Sequence, residues 1–170
     1  MNNRNSKSAP YFGAGLLAAV VITAIDLASK WLIVDVVLDP PRVIPVASFF
    51  KLALVYNRGI SFGLFGNLGS WTPIILSAVA FAIIVLLTVW LRRASRVLEA
   101  AGIAMVIGGA AANLVDRLRD GAVTDFLVLL YGRFHWPAFN LADVAISLGA
   151  AGLMVAWLRK PTGAESKHPG

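Results

Sequence analysis

Four stretches of this chain are long and apolar enough to cross a lipid bilayer, and that limits the fold more than any other feature. A spanning helix needs about 20 predominantly apolar residues. Tyr11–Val34, Trp71–Leu91, Val97–Val115 and Asn140–Leu158 meet that length. Composition agrees: 58% of residues are hydrophobic and 14% are charged. Typical soluble chains stand near roughly 45–50% and 25%. With a mean hydropathy of +0.76, the surplus of apolar side chains exceeds what a soluble core of this size could bury.

The first run follows Arg4 and Lys7 and so has the outline of a signal peptide. Its length exceeds the usual apolar region of about 7–15 residues, and Asp26 and Lys30 interrupt any small-residue cleavage site. It reads as a retained helix. Lys and Arg gather before the first run (Arg4, Lys7), between the second and third (Arg92, Arg93, Arg96) and after the fourth (Arg159, Lys160, Lys167). The positive-inside rule then predicts cytoplasmic termini. The loops Asp35–Ser70 and Asp116–Phe139 face outward.

The net charge of +6 does not form the single stripe or arm expected of a nucleic-acid binder, so no nucleic-acid partner is expected. The chain has no cysteine, which excludes disulfides, thiolate zinc sites and a cysteine nucleophile. His135 and His168 are too far apart in the chain to suggest a histidine metal site or a Ser-His-Asp triad.

The outer loops have their own structure. Val43–Tyr56, "VIPVASFFKLALVY", is rich in β-branched and aromatic residues and predicts a short strand or hairpin. Gly59–Phe65 and Tyr131–Phe139 are aromatic, which suits the membrane–water boundary. The expected fold is an all-α membrane protein. It has four transmembrane helices, a small β-containing extracytoplasmic subdomain and an interfacial loop or helix. It forms one domain over residues 1–170, with disordered tails at about 1–10 and 161–170.

Polar residues within spans are costly and mark function or pairing. At about 1.5 Å of rise per residue, Asp26, Lys30, Asn113, Asn140 and Asp143 all fall in the outer third of the membrane, with Asp116 and Arg117 at the mouth of the third span. The inner half carries little besides Glu99. Each group also has a purely structural explanation. Asp26 and Lys30 stand in the favourable order for an i,i+4 ion pair. Asn113 and Arg117 share a helical face. Gly108, Gly109 and Ala110–Ala112 form a small-residue surface for close helix packing. Asn140 can cap the fourth helix with Asp143 at its third position, a variant of the capping box. Asp125, in "GAVTDFLVLL", is the residue no local role explains. Two aspartates at one depth in an apolar setting suit proton-sharing chemistry, one ionised and one protonated.

Five segments in order carry a family resemblance: "DLASK" (Asp26–Lys30), "NRGISFGLF" (Asn57–Phe65), "GGAAANLVDR" (Gly108–Arg117), "GAVTDF" (Gly121–Phe126) and "FNLAD" (Phe139–Asp143). Together with the four-span layout they resemble the lipoprotein signal peptidases, or signal peptidase II, over nearly the whole chain. The resemblance implies an intramembrane aspartic endopeptidase of the bacterial inner membrane. It would remove signal peptides from diacylglyceryl-modified prolipoproteins, cutting just before the lipidated cysteine. It places the catalytic pair on Asp125 and Asp143. Asn57, Gly59, Asn113, Arg117 and Asn140 would contact substrate or hold the geometry, with Asp26 and Lys30 in support. Membrane lipids and globomycin-like peptide inhibitors are the implied partners, and no metal or organic cofactor is called for. One departure is Ala112, where the family commonly has glycine.

Two other functions account for parts of the same pattern. A small proton- or ion-coupled transporter would use Asp26, Asp125 and Asp143 as a relay, and would need acidic groups through the full depth of the membrane. A non-enzymatic scaffold would explain the cap and the ion pair but leave Asp125 without a role.

Overall fold

In the computed structural model, which describes residues 10–59 and 71–159, helices form where the apolar runs lie and a small sheet fills one end of the bundle. Helix α1 spans Phe12–Leu32 and continues through a π-helical turn, Ile33–Val37. Strands β1 (Ile44–Ala47) and β2 (Phe50–Asn57) follow. Helices α2 (Thr72–Leu91) and α3 (Val97–Asp120) lead into β3 (Val123–Tyr131) and β4 (Phe134–His135), and α4 spans Leu141–Leu158. All four helices are long and apolar enough to cross a membrane.

The helices have opposite relationships to their surroundings. Helix α2 exposes Ile74, Phe81 and Leu86 along its length. Such a surface is unsustainable in water but natural against lipid. Helix α3 is the central element and packs against the other three helices. Small residues make that possible. A Cβ at Gly108 would lie 2.7 Å from the Ala19 carbonyl oxygen of α1, and one at Gly109 would overlap the Ala142 carbonyl of α4. Ala112 is fully buried on the same helix, so its methyl is accommodated in the packed interior.

The third helix runs beyond the expected end at Val115, through Asp116 and Arg117, to Asp120. Charged residues usually mark the edge of a span. Here Asp116 is buried within the bundle, so the helix has reason to continue. It stops at Gly121, whose φ of 68° is the left-handed conformation that glycine adopts without steric cost.

The sheet has the order β1-β2-β3-β4, and every pairing is antiparallel. The expected strand in Val43–Tyr56 is present as β1 and β2. Its partner β3 was not expected. The reason is its apolar continuity: Val123, Phe126 and Val128 are all buried, so the two-residue alternation that marks a half-exposed strand is missing. Register places Val55 opposite Asp125 and Asn57 opposite Val123. The aromatic segment Gly59–Phe65 lies outside the described residues beyond Gly59, as do tail residues 1–9 and 160–170.

Candidate active site

The polar residues meet where the C-terminal ends of α1 and α3, the N-terminal end of α4 and strands β2 and β3 converge. Lys30 is at the centre of one half. Its Nζ contacts Asp26 Oδ2 at 2.6 Å and Asp116 Oδ2 at 2.9 Å, and donates to Asn113 Oδ1 at 3.0 Å. The expected i,i+4 pair is therefore part of a larger buried cluster. Isolated buried charges are strongly penalised, and this cluster offsets that cost through mutual pairing and backbone donors. The Ala142 amide, in the first turn of α4, donates to Asp26 Oδ1 at 2.7 Å. The Thr124 amide of β3 donates to Asp116 Oδ2 at 3.1 Å. Asp26 thus ties α1 to α4, and Asp116 ties α3 to β3.

The other half carries the two proposed aspartates. Asn113 Nδ2 donates to Asp143 Oδ1 at 2.9 Å. Asn140 Nδ2 donates to Asp125 Oδ1 at 2.6 Å and to Asn113 Oδ1 at 3.2 Å. The amides of Asn113 and Asn140 therefore bridge Asp143 and Asp125. Asn140 also caps α4. Its Oδ1 accepts from the Asp143 amide at 2.9 Å, while Asp143 Oδ2 accepts from the Asn140 amide at 3.2 Å, a complete capping box. Local helix chemistry thus fixes the backbone and one carboxylate oxygen of Asp143.

Asp125 is held from the opposite side by Asn57, whose Nδ2 donates to Oδ2 at 3.1 Å. Asn57 is oriented in turn, because its Oδ1 accepts from the Gly59 amide at 2.8 Å. Gly59 has a φ of 88°, and a side chain there would run into Leu76 of α2. Burial, reinforced by the Asp143 charge, pushes the Asp125 carboxyl up to about 6, against the opposing hydrogen bonds from Asn57 and Asn140. Asp125 is almost wholly buried, whereas Asp143 is half-buried and faces a groove of about 360 Å³ with Trp136, Phe139 and Leu148.

Arg117 lies within electrostatic range of Asp143, Asp125 and Asp116. Its Nε has no hydrogen-bond partner among the described residues. It lines a groove of about 460 Å³ between α2 and α3, beside Ile74, Phe81 and Leu118. All nine expected site residues thus lie in or beside this one assembly. Asp116 and the Thr124 backbone also belong to it, so Asp116 lies inside the cluster rather than only at the mouth of its span. Its position three residues after Asn113, on one helical face, was the available signal.

A relay across the membrane lacks support, since the described acidic cluster is confined to one end of the bundle. Comparison with known proteins leads elsewhere. The sequence model of a family described as "Signal peptidase (SPase) II" matches residues 18–159. A protein of Methylorubrum extorquens (strain PA1), named lipoprotein signal peptidase, is 43% identical over 155 residues, covering 87% of each chain. One of the same name from Cellvibrio japonicus (strain Ueda107) is 39% identical over 156 residues, covering 90% of this chain and 91% of its own. The fold is shared with a solved structure described as a bacterial membrane enzyme, with a TM-score of 0.78 at 20% identity over 96% of this chain and 98% of that one. With the family's sequence model covering most of the first helix, the other three helices and the polar cluster alike, this chain belongs to the signal peptidase II family.

Proposed function

We propose that this peptidase removes signal peptides from diacylglyceryl-modified prolipoproteins, cutting just before the lipidated cysteine, by an aspartic mechanism on Asp125 and Asp143. The observation carrying this reading is the amide bridge, in which Asn113 and Asn140 hold the two carboxylates within one hydrogen-bonded unit. Asp125, buried and with its carboxyl pushed up to about 6, is the proton-holding acid. Asp143, half-buried at its groove, is the base. A water between them gives a proton to Asp143 as it attacks the scissile carbonyl. Asp125 donates a hydrogen bond to the developing oxyanion and then helps protonate the leaving amine. Arg117, whose Nε has no hydrogen-bond partner among the described residues and which lines an apolar groove, supplies positive charge where negative charge develops.

The protein acts as a single multi-pass domain of the bacterial inner membrane. Its termini are cytoplasmic and its site lies near the outer leaflet, where water and a lipid-anchored peptide can both arrive. Globomycin-like peptides would occupy the same site. The test is incubation of the purified protein in lipid with a prolipoprotein, with or without the diacylglyceryl group. Cleavage of the lipidated form alone, immediately before its cysteine, is the expected result. Equal cleavage of both forms, or a cut elsewhere, would contradict the proposed specificity.

A further inference from the structure

At the opposite end of the bundle, Trp90 of α2, Arg96 and Glu99 at the start of α3, and Leu153, Ala156 and Trp157 of α4 enclose a cavity of about 170 Å³. Its wall combines a cation, an anion and two indoles at the level where the spans end. Indoles favour that interface, where one edge meets headgroups and the rest meets hydrocarbon. Trp90 Nε1 donates to Glu99 Oε1 at 2.9 Å, which holds the carboxylate in place. Among the described residues Arg96 donates only a long contact, 3.5 Å, to the Ala156 carbonyl, which leaves most of its guanidinium fork available to a ligand. Among the described residues Arg96 and Glu99 form no ion pair, with each other or with any other group.

A guanidinium and a carboxylate that share a cavity without pairing match a ligand carrying both charges. We propose that this cavity binds the headgroup of a phosphoethanolamine lipid. Arg96 takes the phosphate, for which its planar fork is suited. Glu99 accepts from the primary ammonium, and Leu153 and Trp157 pack against the glycerol and upper acyl chain. An anionic phosphoglycerol headgroup has hydroxyls but no ammonium, so it would bring a net negative charge against Glu99 and offer it only neutral hydrogen bonds, the weaker kind. A choline headgroup has no N–H to donate to the carboxylate.

The site is tested with the full-length protein by native mass spectrometry in detergent, using phosphoethanolamine, phosphocholine and phosphoglycerol lipids of matched acyl chains. The phosphoethanolamine lipid should be retained about tenfold over the phosphocholine lipid, the effect of one charge-assisted hydrogen bond. Glu99→Gln should bring that ratio close to unity, and Arg96→Gln should weaken both lipids. Prolipoprotein cleavage in lipid-free detergent should survive in both variants, which shows that they remain folded. Soluble glycerophosphoethanolamine should not displace the bound lipid; displacement at equal concentration would mean a site for a free zwitterion. Equal retention of the phosphoglycerol lipid, or an unchanged ratio in Glu99→Gln, would overturn the proposal.

Discussion

Lys30 fixes which way the Asn113 side chain points. Its Nζ donates to Asn113 Oδ1 at 3.0 Å, and Asn113 Nδ2 donates to Asp143 Oδ1 at 2.9 Å. Lysine has donors and no acceptor, so the amide oxygen must face it and the amide N–H groups must face the carboxylates. A residue of α1 thereby sets the donor geometry at the head of α4 without touching Asp143.

Lys30→Met removes that constraint and leaves Asp26 and Asp116 buried without their cation. Breaking a buried pair in this way costs about 3–5 kcal/mol. Thermal unfolding in detergent should show a lower midpoint. Adding Asp116→Asn should recover part of the loss, because one of the stranded charges is then gone. An unchanged midpoint in Lys30→Met would mean that the ion cluster contributes nothing to stability.

Asp125→Asn and Asp143→Asn should each reduce prolipoprotein cleavage by at least about 10²-fold, the lower range for a general acid or base. Both proteins should keep their helical circular dichroism, since neither change alters the size of the side chain. Chelator should leave the wild-type rate unchanged. A variant that cut at the wild-type rate would remove that aspartate from the mechanism.

The raised Asp125 carboxyl, about 6 against the ordinary 3.8, has a defined consequence for pH. Between these values the folded protein binds the proton and the unfolded chain does not. Stability from this group is therefore fully present below 3.8 and lost as pH rises through about 6, on the order of 3 kcal/mol in all. Unfolding measured between pH 4 and 7 should show this decline, and Asp125→Asn should flatten it. In kcat/KM the same loss of the proton should appear as a falling limb above pH of about 6, with an apparent value that belongs to the pair.

Asn140 combines two roles that substitution can separate. Asn140→Ala loses the cap, worth about 1 kcal/mol, together with the hydrogen bond to Asp125. Asn140→Ser keeps a capping oxygen for the Asp143 amide but does not replace the amide donor that reaches Asp125. Stability should therefore return in Asn140→Ser while cleavage stays low. Full recovery of cleavage in that variant would mean that Asn140 acts through the cap alone.

What the sequence determined about this protein is what near neighbours along the chain control. Hydropathy set the four spans, because about 20 apolar residues have no better solvent than lipid. Helix periodicity put Lys30 one turn from Asp26, and helix-end chemistry paired Asn140 with Asp143, three residues away. The tertiary structure decided the partners that no spacing encodes. Lys30 meets Asn113 across 83 residues, and Asp26 meets the Ala142 amide across 116. Asp125 acquires Asn140 and Asn57 only once β3, a strand buried on both faces and so without the alternation that would announce it, pairs with β2. Those contacts exist because Gly108 and Gly109 let α3 approach α1 and α4 closely enough for short side chains to touch. Hydrogen bonds act over about 3 Å, so the facing of helices and strands, rather than the residues alone, made one site of these groups.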